Sequence, residues 1–313
     1  MPLTNKEALT FLNAKLGKID SEVIRPLATY TFTRDLPRGS NIDRTVEALV
    51  LRRIQEVGGQ GTRDMQGRSW IGRNANDLKG VNFDMNASAT RVFTAGREAK
   101  WTGMELERAQ ALGFPFDAEQ VTIINEIFQR EANQVAYLGD KEAGIAGLLN
   151  STEVCKVAGQ GLLADDDISA VKIPDLLKYL NSLLIQAEEK TGDVTMPSTL
   201  LVTPEVYGKL FSLQLPDASA TSITDYLAKR SIAYAKYGRF QIYAVKELKG
   251  IGAKGADRAV LYTPDESYLK FNYLPVWREK TYDKGLEFCA AYLWRIAEPQ
   301  IRHPETLTYI DNL

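Results

Sequence analysis

Residues 117–150 read DAEQVTIINEIFQREANQVAYLGDKEAGIAGLLN, and this stretch decides the expected architecture. Asp117 and Gln120 have the spacing of a capping box at the start of a helix. Apolar residues then recur every three or four positions, which predicts one buried helical face. That face consists of Val121, Ile124, Phe128, Ala132, Val135 and Leu138. Gly139 follows where a helix needs a left-handed residue to end. At 1.5 Å per residue such a helix is about 33 Å long, enough to cross a domain.

The segment after this helix, residues 144–150, alternates glycines with a short apolar plug. Glycine permits positive φ and close chain approach, so Leu148 and Leu149 are expected to anchor the turn in the core. Taken alone, the stretch also fits an ordinary helix followed by a buried Leu–Leu hook. A long helix, a glycine turn and then Gly-Leu-Leu-Asn resembles the spine helix of tailed-bacteriophage major capsid proteins, the Hong Kong 97-like fold. Bacterial encapsulins share that architecture.

Length and composition indicate a globular protein with a large core. The chain has 313 residues, of which 44% are hydrophobic and 25% charged. With 38 basic and 40 acidic side chains the net charge is −2, which leaves no electrostatic footprint of a nucleic-acid-binding domain. No apolar run approaches the ~20 residues of a membrane span, and the first residues, MPL, start no signal peptide. Cys155 and Cys289 lack metal-type spacing and are typical of free, buried thiols in a reducing cytoplasm.

Upstream of the helix the chain contains two segments that do not form a core of their own. Residues 1–45 combine a short amphipathic helix with an extended segment, and we predict an N-terminal arm that lies on a neighbour. Residues 46–57 are apolar on one side, and their periodicity leaves strand or helix open. Residues 58–80 are rich in glycine and arginine, which predicts a projecting loop, and residues 89–101 return as a strand.

This excursion resembles the E-loop of the capsid fold, which overlaps an adjacent subunit. The resemblance implies inter-subunit contacts, whereas the glycine and arginine composition alone favours a flexible surface insertion. The contact candidates are Arg63, Arg68, Trp70, Ile71 and Arg73. The arginines are expected to pair with carboxylates of the next subunit, with phosphate contacts to nucleic acid as the alternative.

The second half of the chain is predicted to alternate helices and short strands. A helix over residues 173–191 is followed by MPSTLLVTPEVY at 196–207, a strand between prolines that leads into a helix with Pro204 at N1. This stretch resembles the opening of the axial domain of the capsid fold. We predict a further helix over residues 222–235 and short buried strands at 240–245 and 258–262. Residues 268–296 are strand-rich, and the last segments are expected to pack against the spine helix.

The predicted fold class is therefore α+β, a Hong Kong 97-like capsid fold with N-arm, E-loop, peripheral domain and axial domain. Its expected segments are the N-terminal arm at 1–45, the E-loop with flanking strands at 46–101, the peripheral domain with the spine helix at 102–195, the axial domain at 196–264 and the peripheral return strands at 265–313. The expected core of the fold includes Ile124, Phe128, Leu148 and Leu149.

The inventory of chemically reactive motifs argues against an enzyme. His303, the single histidine, precedes a proline and is expected to be a surface or capping residue. Residues 250–255 match G-x-G-x-x-G, but a strand follows where a dinucleotide site needs a helix, so we interpret them as a hairpin tip. Asp165, Asp166 and Asp167 supply oxygen ligands for a cation, yet a solvated loop is the more frequent outcome. We expect no catalytic, cofactor-binding or metal-binding residues.

The resemblance implies a structural protein that assembles into hexamers and pentamers of an icosahedral shell around double-stranded DNA. It implies virion localisation after assembly in the host cytoplasm, portal and scaffolding or decoration proteins as partners, and no membrane. An encapsulin nanocompartment is the alternative within the fold, and a soluble α/β nucleotide-binding enzyme using residues 250–255 is the alternative from another class. Some relatives join Lys to Asn between subunits; Lys79 is a candidate, but we expect no cross-links here.

Overall fold

The computed structural model describes residues 29–57, 82–105, 107, 116–163, 171–215, 221–285 and 287–313. The chain divides into two compact units, Met1–Tyr30 and Thr31–Leu313. The second unit contains two β-sheets and the long helix, and its elements are described below.

The first sheet has six strands and is almost entirely antiparallel. Its long members are β2 (Ala48–Val57), β3 (Asn82–Thr102), β10 (Leu269–Lys284) and β11 (Glu287–Ala297). The strand order is β1–β10–β11–β3–β2, where β1 (Arg38–Gly39) pairs in parallel with β10, and β12 (Gln300–Ile301) also pairs with β10. Residues 46–57, left open by the sequence pattern, are therefore a strand over most of their length.

The long helix, α2 (Phe116–Leu138), packs on this sheet. The short helix α1 (Phe32–Asp35), which precedes it in the chain, contacts α2. The Phe128 ring lies 5.9 Å from the ring of Tyr273 on β10 and 6.2 Å from that of Trp294 on β11. Ile124, Phe128 and Ala132 are buried, as the sequence pattern predicts.

The predicted capping box at the start of α2 is wrong. The helix begins at Phe116, so Asp117 is already within its first turn. Gln120 does not reach back along the helix, because its side-chain amide donates to the carbonyl of Lys100, 3.3 Å away on β3. The side chain of Gln120 is thus directed to the neighbouring strand and not to the start of its own helix.

The turn after α2 uses glycine in both ways that the sequence predicts. Gly139 has φ of 69° and begins the two-residue strand β4 (Gly139–Asp140), which pairs with β5 (Ile145–Ala146). A Cβ at Gly147 would lie 2.2 Å from the Tyr137 carbonyl oxygen, so only glycine fits there. Asn150 closes the turn, since its side chain accepts from the Gly147 N–H and donates to the Leu138 carbonyl, each at 2.6 Å.

The second sheet has five short strands and carries helices against it. Its order is β6 (Cys155–Ala158), β13 (Thr308–Asp311), β9 (Arg258–Tyr262), β7 (Thr199–Val202) and β8 (Gln241–Ala244). The helices are α3 (Ile173–Lys190), α4 (Pro204–Ser212), α5 (Ile223–Arg230) and α6 (Ile232–Tyr237). Strands β7 and β9 are buried throughout, and their side chains share one core with the leucines of α3.

Helix starts in this region follow the sequence closely, with one correction. Pro204 stands at the start of α4, and the Thr203 side chain caps it by accepting from the Val206 N–H. The predicted single helix over residues 222–235 is wrong, because the chain breaks at Ser231 into α5 and α6. Ser231 has extended backbone, with ψ of 161°, and its hydroxyl caps α6 by accepting from the Tyr234 N–H.

Three further expectations are corrected by the sheet pairing. Residues 250–255 are not a hairpin tip, because β8 and β9 pair with opposite sides of β7. The strand at 240–245 is only partly buried, since it lies at a sheet edge. Of the last segments, β10 and β11 pack on α2 as expected, but β13 pairs with β9 and β6, so residues 265–313 contribute to both sheets.

Candidate assembly surfaces

Strands β2 and β3 form a long two-stranded ribbon that extends beyond the rest of the first sheet. Strand β3 pairs with β11 over residues 92–102, but before Val92 its only strand partner among the described residues is β2. Residues 85–89 are all exposed, although successive strand residues point to opposite faces. Both faces of β3 are therefore uncovered over residues 85–89. A two-stranded ribbon is marginally stable by itself, so this one needs a partner surface.

The opposite end of β3 carries a second exposed projection, formed by β10 and β11. Residues 278–285 are exposed along the end of β10 and the following turn, where Gly285 has φ of 72°. Here the half-buried carboxylate of Glu98 lies beside the Tyr282 hydroxyl and 3.0 Å from the Lys100 ammonium. Those hydrogen bonds lower the pKa of Glu98 to about 2. With 21 residues at about 3.3 Å each, β3 is roughly 65 Å long and carries one projection at each of its ends.

The five predicted contact residues lie outside the described part of the chain. Arg63, Arg68, Trp70, Ile71 and Arg73 fall in the interval 58–81, as does Lys79. The structure does place the two ends of that interval side by side, since Val57 pairs with Asn82 across the ribbon. Asp165, Asp166 and Asp167 likewise lie outside the described residues.

Exposed apolar side chains on the ribbon are a feature that sequence reasoning missed. Val50 on β2 is 58% exposed and Met85 on β3 is 46% exposed. The signal in the sequence is weak, because residues 85–89 (Met-Asn-Ala-Ser-Ala) alternate apolar and polar residues but contain only one large apolar side chain. Such a strand has no covered face in its own subunit.

The predicted core residues lie where the sequence pattern places them. Ile124 and Phe128 are 6% and 2% exposed, and Leu148 and Leu149 are completely buried. The structure adds polar residues to this core that sequence reasoning did not single out, namely Asp35, Asn133 and Tyr137, all buried.

Asp35 joins α1, α2 and the second sheet. Its carboxylate accepts from the Tyr137 hydroxyl on α2 and from Arg34, whose Nε lies 2.6 Å from it. Its backbone carbonyl accepts from the Tyr262 hydroxyl of β9 at 2.8 Å. Burial together with the nearby negative charge of Asp35 raises the pKa of Tyr137, so its hydroxyl keeps the proton that it donates. The network fixes the segment just after Met1–Tyr30 onto the rest of the fold.

A buried ion pair holds the end of the chain in the second sheet. Arg258 on β9 contacts Asp311 on β13 through two hydrogen bonds of 2.6 and 3.0 Å. The same guanidinium donates to the Leu149 carbonyl and lies 4.6 Å from the centre of the Tyr309 ring. Burial favours the neutral acid, but the hydrogen bonds from Arg258 and the Ala253 N–H outweigh it and lower the pKa of Asp311. The turn after α2 is thereby tied to the second sheet.

The glycine loop at 250–255 does not form a dinucleotide site. It contains a turn of 3-10 helix, Ala253–Gly255, and runs directly into β9 rather than into an α-helix. Its backbone N–H groups are already used within the chain, since Gly250 donates to Asp257 and Ala253 donates to Asp311. No helix N-terminus therefore faces a phosphate there.

The remaining reactive residues take structural positions. His303 is exposed, caps the short helix Pro304–Thr306, and has its Nδ1 2.9 Å from Glu305. Cys289 is buried as expected, but Cys155 is exposed, because β6 is the outer strand of its sheet. Among the described residues no group of three or more His, Cys, Asp or Glu side chains is arranged to hold a metal ion. None of the described helices is long and apolar enough to cross a membrane.

Comparison with known proteins gives one family and a consistent set of structures. The sequence model of a family described as "Major capsid protein" matches residues 67–313. Among solved structures, the capsid of Myoviridae phage XM1 has a TM-score of 0.74 at 14% identity, covering 96% of this chain and 98% of that one. The capsid of an empty GTA particle has a TM-score of 0.61 at 13% identity, covering 99% of each chain.

A virus-like particle from Pyrococcus furiosus is also similar, with a TM-score of 0.50 at 11% identity over 89% of this chain and 91% of that one. No curated protein sequence matches the chain. At these low sequence identities the structural matches establish the fold alone. The match to the sequence model establishes membership of the family.

Proposed function

The chain belongs to the major capsid protein family, and from this premise we propose that it assembles as hexamers and pentamers into an icosahedral shell that packages double-stranded DNA. The chain is a structural protein of the virion with the Hong Kong 97-like fold. Its partners in the proposal are further copies of itself, the packaged DNA, a portal and scaffolding or decoration proteins. Assembly takes place in the host cytoplasm.

The observation that carries this proposal is the ribbon of β2 and β3. Exposed residues on both of its faces, including the apolar Val50 and Met85, are costly for a lone subunit in water. A neighbouring copy that covers the ribbon removes this cost, as overlapping subunits of a closed shell do. The ribbon is thus the stem of the proposed E-loop, and residues 58–81 are its end.

We propose a domain division that the two sheets support in part. We assign residues 1–45 to the N-terminal arm, 46–101 to the E-loop with its flanking strands, 102–195 to the peripheral domain, 196–264 to the axial domain and 265–313 to the peripheral return strands. Strands β6 and β13 are exceptions, because they pair within the sheet of the axial domain, and helix α3 is a third, because its leucines pack in the core of that sheet. The axial domain is therefore completed by pieces from both sides of its main segment.

We propose no catalytic activity. The alternative from another class was an enzyme that binds a nucleotide with the glycine loop at 250–255. Backbone N–H groups of this loop already donate hydrogen bonds within the chain, and a strand follows the loop. An enzyme that uses this loop for a nucleotide would have to break those hydrogen bonds first. The loop is better explained as the crossing from one side of β7 to the other.

Electron microscopy of the purified protein tests this proposal. Negatively stained preparations are expected to contain closed, uniform particles, and particles recovered from infected or lysogenic cells are expected to protect double-stranded DNA from nuclease. Particles that enclose a protein cargo instead of DNA would favour the encapsulin alternative. A monodisperse monomer at all concentrations, with no particles, would contradict the shell itself.

A further inference from the structure

A basic cleft lies beside the root of the β2–β3 ribbon. It has a volume of about 570 Å³ and lies between β2 and the segment around Pro304–Thr306. Charged and polar side chains dominate its wall, namely Arg52, Arg53, Arg302, His303, Glu305 and Ser267. Three arginines and one glutamate therefore line the same space. None of the three arginines was singled out by the sequence patterns.

Two of the three arginines have no acidic partner within the described part of the chain. Arg53 is paired, since its Nη2 lies 3.2 Å from Glu153. Among the described residues Arg52 and Arg302 form no ion pair, and the Nε of Arg302 is buried without a hydrogen-bond partner. A buried donor that lacks an acceptor costs free energy, so an acceptor from outside the subunit is favoured.

Glu305 does not supply that acceptor. Its carboxylate is already 2.9 Å from the His303 ring. Although partial burial favours the protonated acid, hydrogen bonds from its own N–H and from His303, with the charge of Arg53, keep the pKa of Glu305 below its usual value. Glu305 is thus ionised and bound at one side of the cleft. The excess of positive charge remains on Arg52 and Arg302.

We propose that this cleft binds carboxylate side chains presented by a second copy of the chain. The inference rests on the shell proposed above and identifies one polar contact that closes it. Arginine pairs with carboxylates through two parallel hydrogen bonds, and two free guanidinium groups suit one or two such groups. A nucleic-acid backbone requires an extended row of cations, and here the cationic surface is short and includes an ionised carboxylate. The cleft also adjoins the ribbon that the neighbouring copy is expected to cover.

Charge-changing variants of Arg52 and Arg302 test the cleft. Arg52→Glu/Arg302→Glu should fold normally but lower the yield of DNA-free particles about tenfold, which corresponds to losing roughly 1.4 kcal/mol in total. Arg52→Lys/Arg302→Lys should keep part of the yield because it keeps the charge. Arg130→Gln, at an exposed position on α2, is the matched control and should assemble like the wild type. Circular dichroism and melting of the subunit check folding.

The outcomes distinguish the proposal that the cleft binds carboxylates from the proposal that the chain forms a shell. Wild-type particles together with unchanged yields for Arg52→Glu/Arg302→Glu would overturn the carboxylate assignment and leave the shell intact. Normal DNA-free assembly with lost binding of the variant subunit to a short DNA duplex would overturn it in favour of phosphate. If the double variant fails to fold, Arg52→Gln, which changes an exposed side chain only, decides by the same particle assay. Absence of wild-type particles would overturn both proposals.

Discussion

Phe128 is a buried side chain at the contact between α2 and the first sheet. It is 2% exposed and lies against the rings of Tyr273 and Trp294. Phe128→Ala should lower the free energy of unfolding by about 3–5 kcal/mol, through lost burial and the cavity left behind. Ile123→Ala is the matched control, because Ile123 is 52% exposed on the same helix. Chemical denaturation of both variants measures the difference; equal stabilities would contradict the assignment of the buried face.

The ion pair between Arg258 and Asp311 should make stability depend on acid pH. The pKa of Asp311 is lowered from 3.8 in the folded protein, so its ionised form stabilises the fold at pH values above the unfolded pKa. That contribution is lost as pH falls through the folded pKa, below about 4. Asp311→Asn should remove this part of the acid sensitivity and, by leaving Arg258 buried and unpaired, cost about 3–5 kcal/mol at neutral pH.

Denaturation of wild type and Asp311→Asn at neutral pH and at about pH 3 measures how much of the acid sensitivity of folding comes from Asp311. Glu189→Gln is the control, since Glu189 is exposed at the end of α3 and its replacement should change stability by less than about 0.5 kcal/mol. A variant that loses as much stability on acidification as the wild type would place the acid sensitivity elsewhere.

At the scale of elements, two glycines should respond oppositely to the same substitution. A methyl group at Gly147 would meet backbone atoms at 2.2 Å and 2.5 Å, which cannot move without breaking the turn after α2. Gly147→Ala should therefore destabilise the subunit by at least about 1–3 kcal/mol. Gly208 lies inside α4 with nothing within 4 Å of such a methyl group, so Gly208→Ala should stabilise by about 0.5–1 kcal/mol. Thermal melting of the two variants decides; a shift of the same sign in both would contradict the close approach at Gly147.

The sequence predicts those elements whose signals are local. The face of α2, the glycine at its end, and Pro204 at the start of α4 all follow from residues within a few positions of one another. The errors arise where a distant segment competes. Gln120 bonds to Lys100 on β3 instead of capping its own helix, and Ser231 breaks a continuous helical pattern by capping a new helix. The placement of β13 between β6 and β9 depends on the pairing of chain segments that composition does not encode.

The assembly surfaces were predictable only in part, for a related reason. The excess of glycine and arginine at 58–80 indicates a segment without its own core, but the cleft containing Arg52 and Arg302 joins residues that lie 250 positions apart. Neither arginine has a motif around it. What identifies the pair is the absence of an acidic partner among the described residues, which is a property of the folded chain.

On the scale of the whole molecule, β3 connects the interior of the subunit to its periphery. One half of the strand pairs with β11 and lies beneath α2. The other half extends beyond the sheet, and among the described residues β2 is its one strand partner. The folded core therefore ends before the ribbon starts. A change within residues 58–81 should therefore alter the stability of the shell and not the stability of the subunit.

Deleting residues 61–72 and joining the ends with a short glycine–serine link tests this separation. The link is feasible because Val57 and Asn82 are paired neighbours at the ribbon end. The isolated subunit should stay soluble and helical with an unchanged melting temperature, since the core of α2 and both sheets lies elsewhere. Assembly should fail, or particles should dissociate at a lower denaturant concentration, because interfaces depend on a few aromatic and arginine anchors such as those at 63, 68, 70 and 73. Unchanged particle yield and melting would exclude an E-loop role for this segment, whereas an aggregated subunit would place it in the core.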